Sequence, residues 1–218
     1  MPDNNVTVVD YGIGNLFSVS RALEKCGTTV ELTDRPEAIL AASRLVLPGV
    51  GAFAMGMQGL RDRGLVEPLR RYAQSGRPLL GICLGMQLLF DGSTEFGDHE
   101  GLGLIAGNIV AIEPGAEGGR MLKVPHIGWS ALAMPPARAT WNATVLAGLE
   151  PGANTYFVHS YTAVPAREED RLADTRYGSS RISAAVQKGA VYGCQFHPEK
   201  SAATGLRILN NFVQLRLS

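Results

Sequence analysis

The sequence predicts an α/β fold built on a doubly wound, mostly parallel sheet. Three observations carry that expectation. Short β-branched runs alternate with helical apolar periods through residues 6–90, the pattern of βαβ units. The heptapeptide Gly81-Ile-Cys83-Leu-Gly85-Met-Gln87 stands where an apolar run passes into a helical one. From residue 104 to 164 the chain changes character, with Gly, Pro and short strand signals, which adds a β-rich C-terminal half.

The elements come in order. Residues 6–9 form a short β-branched run, read as a buried parallel strand. Gly12-Ile-Gly14-Asn15 turns it into a helix. Asn15 is a suitable N-cap, Val19, Ala22, Leu23 and Cys26 share one face, and Gly27 ends the helix. Residues 30–32 and 45–47 read as further strands. Residues 65–73 read as a helix with Val66, Leu69 and Ala73 on one face. Residues 78–82 read as a strand and 84–90 as the helix after it. Helical signals recur only near 142–146 before the end of the chain. Residues 181–187 and 190–195 resemble a hairpin turning at Lys188-Gly189. Residues 201–217, with Leu206, Leu209, Phe212, Val213 and Leu217, read as a closing helix. With no linker, repeat or low-complexity segment, 1–218 reads as a single domain.

The bulk properties exclude several partners. The 218 residues carry 20 basic and 20 acidic side chains, so net charge is zero. That balance leaves no electrostatic footprint for nucleic acid or an anionic membrane. No apolar run approaches the ~20 residues of a membrane span, and Met1-Pro-Asp-Asn-Asn has no signal-peptide character. Cys26, Cys83 and Cys194 are odd in number and far apart, which suits a reducing cytoplasm. No ligand spacing suggests a metal, and no cofactor is expected.

The chemistry centres on Cys83. A nucleophile between two glycines at a strand-to-helix step has the form of a nucleophile elbow, and it places the sulfur at a helix N-terminus, which favours thiolate. A free cysteine is more often inert packing, so a base is required. Of His99, His126, His159 and His197, only His197 ends an apolar run and precedes Pro198-Glu199. Pro198 holds His197 extended, and residues two apart in an extended segment project to one side. Glu199 can therefore orient the imidazole that takes the thiol proton. By itself His197-Pro198-Glu199 reads as a solvated surface turn. With the elbow upstream, the order becomes nucleophile, base, orienting acid. The glycine-rich turn Pro48-Gly49-Val50-Gly51 ends another strand. Its N–H groups, with that of Leu84, are candidates for an oxyanion hole.

These residues resemble class I, triad-type glutamine amidotransferases in the elbow, in Pro48-Gly-Val-Gly51 and in Gln195-Phe-His197-Pro-Glu199. More narrowly, Tyr11-Gly-Ile-Gly-Asn15, Pro125-His-Ile-Gly-Trp129 and Tyr156-Phe-Val-His-Ser-Tyr161 are similar to glutaminase subunits of imidazole glycerol phosphate synthases. The motifs run from residue 11 to 201. After the tryptophan such subunits commonly carry asparagine, and this chain has Ser130. The resemblance implies a flavodoxin-like, class I amidotransferase fold without a cofactor. It implies glutamine hydrolysis through a thioester on Cys83, with His197 as base and Glu199 as its orienting acid. It places Gln87, Glu95, Ser160 and Tyr161 around the substrate and Gly49, Val50, Gly51 and Leu84 around the oxyanion. It also implies a heterodimer with a (β/α)8-barrel cyclase. That cyclase combines the ammonia with the ribotide PRFAR to give imidazole glycerol phosphate and AICAR. Asn15, His126, Trp129 and Lys200 are the candidate docking or gating positions. Three alternatives remain: the glutaminase of an anthranilate or aminodeoxychorismate synthase, a non-catalytic binding subunit on this fold, or a cysteine hydrolase for another amide or ester.

Overall fold

The computed structural model describes residues 5–113, 115–117 and 120–215. Its first half alternates strand and helix, with two successive helices between β3 and β4: β1 (Asn5–Val9), α1 (Leu16–Lys25), β2 (Thr29–Thr33), α2 (Pro36–Ala41), β3 (Leu45–Leu47), α3 (Phe53–Asp62), α4 (Val66–Gln74), β4 (Leu79–Ile82) and α5 (Leu84–Leu88). The second half begins with β5 (Phe90–Ser93), β6 (His99–Glu100), β7 (Ile105–Ala111), β8 (Ala116–Glu117) and β9 (Arg120–Met121). It continues with β10 (His126–Ala131), β11 (Asn154–His159), β12 (Tyr161–Pro165), β13 (Arg171–Tyr177), β14 (Ser180–Lys188), β15 (Val191–Cys194) and α6 (Ala202–Gln214).

The main sheet runs β13-β14-β15-β4-β3-β1-β2. Strands β15, β4, β3, β1 and β2 are mutually parallel, and β13 and β14 add an antiparallel edge. The central strands β3, β4 and β15 are buried on both faces, which is why they are short apolar runs without alternation. One apolar layer gathers Val19, Leu23, Phe157, Phe196 and Phe212, and another gathers Tyr11, Leu47, Phe53, Leu69 and Met86. A smaller sheet, β12-β7-β5-β6, and the ribbon β10-β11 make up the β-rich half. No helix among the described residues is long and apolar enough to cross a membrane.

Several boundaries differ from the sequence reading. Helix α5 stops at Leu88, and Phe90 opens a strand rather than closing the helix. Backbone N–H groups of residues 102, 104 and 105 bond the carbonyls of Leu88 and Leu89, so a neighbouring segment takes the acceptors that further helical turns would have used. The helical signal at 142–146 resolves into turns, with Ala143 at φ 58°. There Trp141 Nε1–H donates to the Leu172 carbonyl at 2.7 Å, tying the segment down without a helix. The hairpin closes with Lys188 paired to Val191, so its loop is Gly189-Ala190, one residue later than expected. Two helices escaped the sequence reading. In α3, Gly56 and Gly59 interrupt the apolar period. Short α2 has only Ile39 fully buried. The closing helix ends at Gln214, and Leu217 lies outside the described residues.

Candidate active site

Three adjacent strands deliver the candidate residues to one edge of the sheet. In the order β15-β4-β3, the parallel register sets Cys194 beside Ile82 and Leu47 beside Gly81. The segments leaving these strands therefore emerge side by side: Gln195-Phe196-His197 after β15, Cys83 after β4, and Pro48–Gly51 after β3. The carboxyl ends of parallel strands are where open α/β sheets bind ligands. The Cys83 N–H extends the ladder one step, donating to the Cys194 carbonyl at 2.7 Å.

The elbow is strained at the cysteine itself. Cys83 has φ 53° and ψ −110°, a conformation that L-residues rarely adopt and that costs of order 1–3 kcal/mol. The two glycines act differently. A Cβ on Gly81 would lie 2.7 Å from the Gly85 carbonyl oxygen and the Met86 nitrogen, and a Cβ on Gly85 would overlap the Leu47 carbonyl. They are needed for close approach of strand, helix and neighbouring strand, not for a sharp turn of their own. Helix α5 has only five residues, so it supplies one turn of N–H groups rather than a long dipole.

His197 is extended (φ −99°, ψ 98°), as Pro198 requires. Its Nδ1 lies 2.8 Å from Glu199 Oε1, and its other side-chain partner is Cys83. Burial opposes charge on this ring, but hydrogen bonds to Cys83 and Glu199 and the field of both outweigh it, raising its pKa to about 9. The side chains of His197 and Glu199 are 4% and 1% exposed, so the pair is shielded from solvent. Among the described residues Glu199 Oε2 has no hydrogen-bond partner, so the carboxylate is engaged through Oε1, by the imidazole. Ser201 Oγ–H donates to the His197 carbonyl at 2.7 Å, and the His197 N–H donates to the Tyr156 carbonyl at 2.9 Å. His197 is thus held at its backbone as well as at its ring.

A cavity of about 320 Å³ opens over the sulfur, lined by Val50, Gly51, Cys83, Leu84, Gln87, Glu95, Pro125, Val158, His159, Ser160, Tyr161 and His197. Gly49 lies behind it, where a Cβ would strike the Tyr11 hydroxyl. Glu95 Oε2 accepts the Phe53 N–H at 2.6 Å, so its charge sits at the start of α3, where a helix favours an anion. Gln87 is less free than expected. Its amide nitrogen donates to Gln195 Oε1 at 3.0 Å and to the Tyr161 carbonyl at 3.3 Å.

Some residues were not anticipated from sequence. Gln195 is fully buried, and its Nε2 lies 3.8 Å from Cys83 Sγ. Its place in the Gln195-Phe196-His197 run was the available signal. Tyr11 is fully buried and donates to the Pro48 carbonyl at 2.7 Å. Burial first, and then the nearby Cys83, raise its pKa, so it stays a phenol and a donor. Nothing in its local sequence announced a partner 37 residues away. Pro125, Val158 and His159 also reach the cavity, brought there by the β10-β11 ribbon.

Of the docking candidates, Asn15 and Lys200 are exposed and Trp129 is 54% exposed. Asn15 also caps α1, its Oδ1 accepting the Ser18 N–H at 3.2 Å. His126 is a correction, because it is only 2% exposed. Strand alternation turns Ile127, Trp129 and Ala131 outward on β10 and His126 inward.

The model of the glutamine amidotransferase class-I family matches residues 7–215. The chain is 48% identical over 212 residues to "Imidazole glycerol phosphate synthase subunit HisH 1" of Legionella pneumophila (strain Lens), covering 97% of this chain and all of that one. It is 47% identical over 209 residues to the corresponding HisH subunit of Syntrophotalea carbinolica, covering 95% and 98%. Among solved structures, one described as a glutamine amidotransferase superposes with a TM-score of 0.70 at 20% identity, covering 96% of this chain and 97% of that one. A chain of PurLQS from Thermotoga maritima superposes with a TM-score of 0.67 at 19% identity, covering 96% of both. These two likenesses concern the fold alone.

Proposed function

The chain belongs to the class I glutamine amidotransferase family, and from that premise we propose that it is the glutamine-hydrolysing subunit of an imidazole glycerol phosphate synthase. The observation that carries the reading is His197 held between Cys83 and Glu199 at the wall of the cavity.

The steps derive from these positions. The Cys83 thiol gives its proton to His197, and the sulfur attacks the side-chain amide carbon of glutamine. The Leu84 N–H and the Pro48–Gly51 turn face the oxygen that becomes negative. As the tetrahedral intermediate collapses, the C–N bond breaks and His197 returns its proton to the departing ammonia. A thioester remains on Cys83. Water, deprotonated by His197, then attacks it and releases glutamate and the thiol. Glu199 stays ionised and stabilises the imidazolium at each transfer. Gln87, Glu95, Ser160 and Tyr161 hold the substrate, and Glu95 suits its α-ammonium group.

Tyr11 sets the oxyanion turn. Its hydroxyl fixes the Pro48 carbonyl direction and hence the peptide plane that leads into Gly49. Tyr11→Phe keeps the ring and removes that bond. It is expected to lower kcat for glutamine roughly tenfold, because small misplacement of reacting groups is costly, with KM little changed. Steady-state glutaminase kinetics check this.

Ammonia released into water is protonated and no longer a nucleophile, so a glutaminase of this kind hands it on within a complex. The partner in this reading is a (β/α)8-barrel cyclase acting on PRFAR. Ile127 and Trp129, 59% and 54% exposed on one face of β10, form an apolar patch that suits such an interface. Trp129→Ala is expected to weaken cyclase binding by about 2 kcal/mol, roughly thirtyfold, as an aromatic anchor would. Titration of labelled glutaminase with cyclase measures it, and an unchanged Kd would place the interface elsewhere. The function as a whole is tested by glutamate release with and without the cyclase and its ligand.

A further inference from the structure

We propose that Ser130, His126 and His159 form a one-way hydrogen-bond chain that positions the Ser160–Tyr161 wall of the cavity from the inner face of the exposed strand β10. The inference rests on the reading of this cavity as the glutamine site.

The chain is continuous. Ser130 Oγ lies 2.9 Å from His126 Nε2, His126 Nδ1 lies 3.1 Å from His159 Nε2, and His159 Nδ1 lies 2.8 Å from the Tyr161 carbonyl oxygen. Its direction is forced from the far end. A carbonyl only accepts, so His159 Nδ1 carries the hydrogen. A neutral imidazole has one donor and one acceptor, so His159 Nε2 accepts and His126 Nδ1 donates to it. His126 Nε2 is then an acceptor, and the remaining donor is the Ser130 hydroxyl. Both rings are neutral for a stated reason. His126 is stacked between Phe157 (4.9 Å) and Tyr177 (4.2 Å), and burial lowers its pKa to about 4. Burial likewise dominates at His159, with the Tyr161 carbonyl opposing it and His126 and His197 adding to it, and its pKa falls to about 3.

The chain ends where substrate would sit. His159, Ser160 and Tyr161 all line the cavity, and the Tyr161 carbonyl also receives the Gln87 amide. Its other end lies on a strand whose opposite face exposes Ile127 and Trp129. The register explains the arrangement: His126 pairs directly with His159 across β10 and β11, and Ser130, four residues on, returns to the same face of the strand. Ser130 is therefore a positioning residue. Its hydroxyl fills the acceptor left at His126 Nε2 and so holds that ring against His159, which holds the turn between β11 and β12.

The test uses the complete complex at saturating cyclase. Ser130→Ala removes the first donor and is expected to raise KM for glutamine about fivefold, the size of one neutral hydrogen bond, with kcat nearly unchanged. Ser130→Thr keeps the hydroxyl and is expected to restore the wild-type KM. Nitrogen-15 NMR of the imidazoles, read without substrate, is expected to show His126 and His159 both as Nδ1–H tautomers at neutral pH. Ser130→Ala should keep both tautomers and shift the His126 Nε2 resonance, which alone loses its donor. An Nε2–H tautomer at either ring in the wild type overturns the chain, as does a KM for Ser130→Ala equal to wild type while the wild type turns over glutamine. A wild-type complex that releases no glutamate overturns the glutamine reading itself.

Discussion

Cys83→Ala is expected to lower glutamine-dependent turnover of the complete synthase by at least ~10,000-fold, the scale on which removing a triad nucleophile acts, while turnover with added ammonium salt survives. The reason is positional. Cys83 is held at φ 53° at the cavity wall, and its N–H is bonded into the central sheet. No other thiol can replace it: Cys194 is fully buried, and Cys26 bonds carbonyls of α1 and α6 through its sulfur. Cys83→Ser should fall almost as far, since the hydroxyl gives up its proton far less readily than a thiol. The decisive comparison is product formation from glutamine against that from ammonium salt, on the same complex. Loss of the ammonia-dependent reaction as well would refute a division of labour between glutaminase and cyclase.

His197→Ala is expected to lower the glutamine-dependent rate nearly as far, and the Cys83→Ala/His197→Ala double variant should be no worse than either single one, because a triad acts as a unit. Glu199→Gln tests the third member separately. An amide there no longer stabilises imidazolium and can present a donor to Nδ1, favouring the wrong tautomer. Such a change costs about 10,000-fold where a carboxylate orients a catalytic histidine. His197 should then lose part of the support that raises its pKa to about 9, namely the hydrogen bond and field of Glu199. NMR titration of the ring reads that shift downward. An unmoved His197 titration in Glu199→Gln would show that Glu199 does not govern the imidazole.

Much of this site is legible along the chain because its parts are local. The elbow is a heptapeptide, His197 and Glu199 are two residues apart, and Pro48–Gly51 is a glycine-rich tetrapeptide directly after a strand. Each can be recognised from steric and hydrogen-bonding needs within a few residues. The βαβ alternation then implies that such turns share one edge of the sheet. The failures are equally physical. Helix α3 shows no clear apolar period because Gly56 and Gly59 serve close contacts, Gly56 with Leu84 and Leu88 and Gly59 with Tyr11. The turns at 142–146 imitate a helix because Val145 and Leu146 are buried for tertiary reasons.

Short-range pattern along the chain is enough for the fold class, for the family resemblance and for the order Cys83, His197, Glu199 that is proposed as nucleophile, base and acid. Which groups those residues touch depends on contacts between distant segments. Gln87 spends its amide on Gln195, Tyr11 fixes the Pro48 carbonyl, and strand register turns His126 inward onto His159 and Trp129 outward. These contacts join residues 33, 37 and 108 positions apart. A shift of one residue in β10 would exchange His126 for Ile127 on the inner face, because side chains alternate with a period of two. That choice is made by the packing of the whole core, not by any stretch of chain read alone.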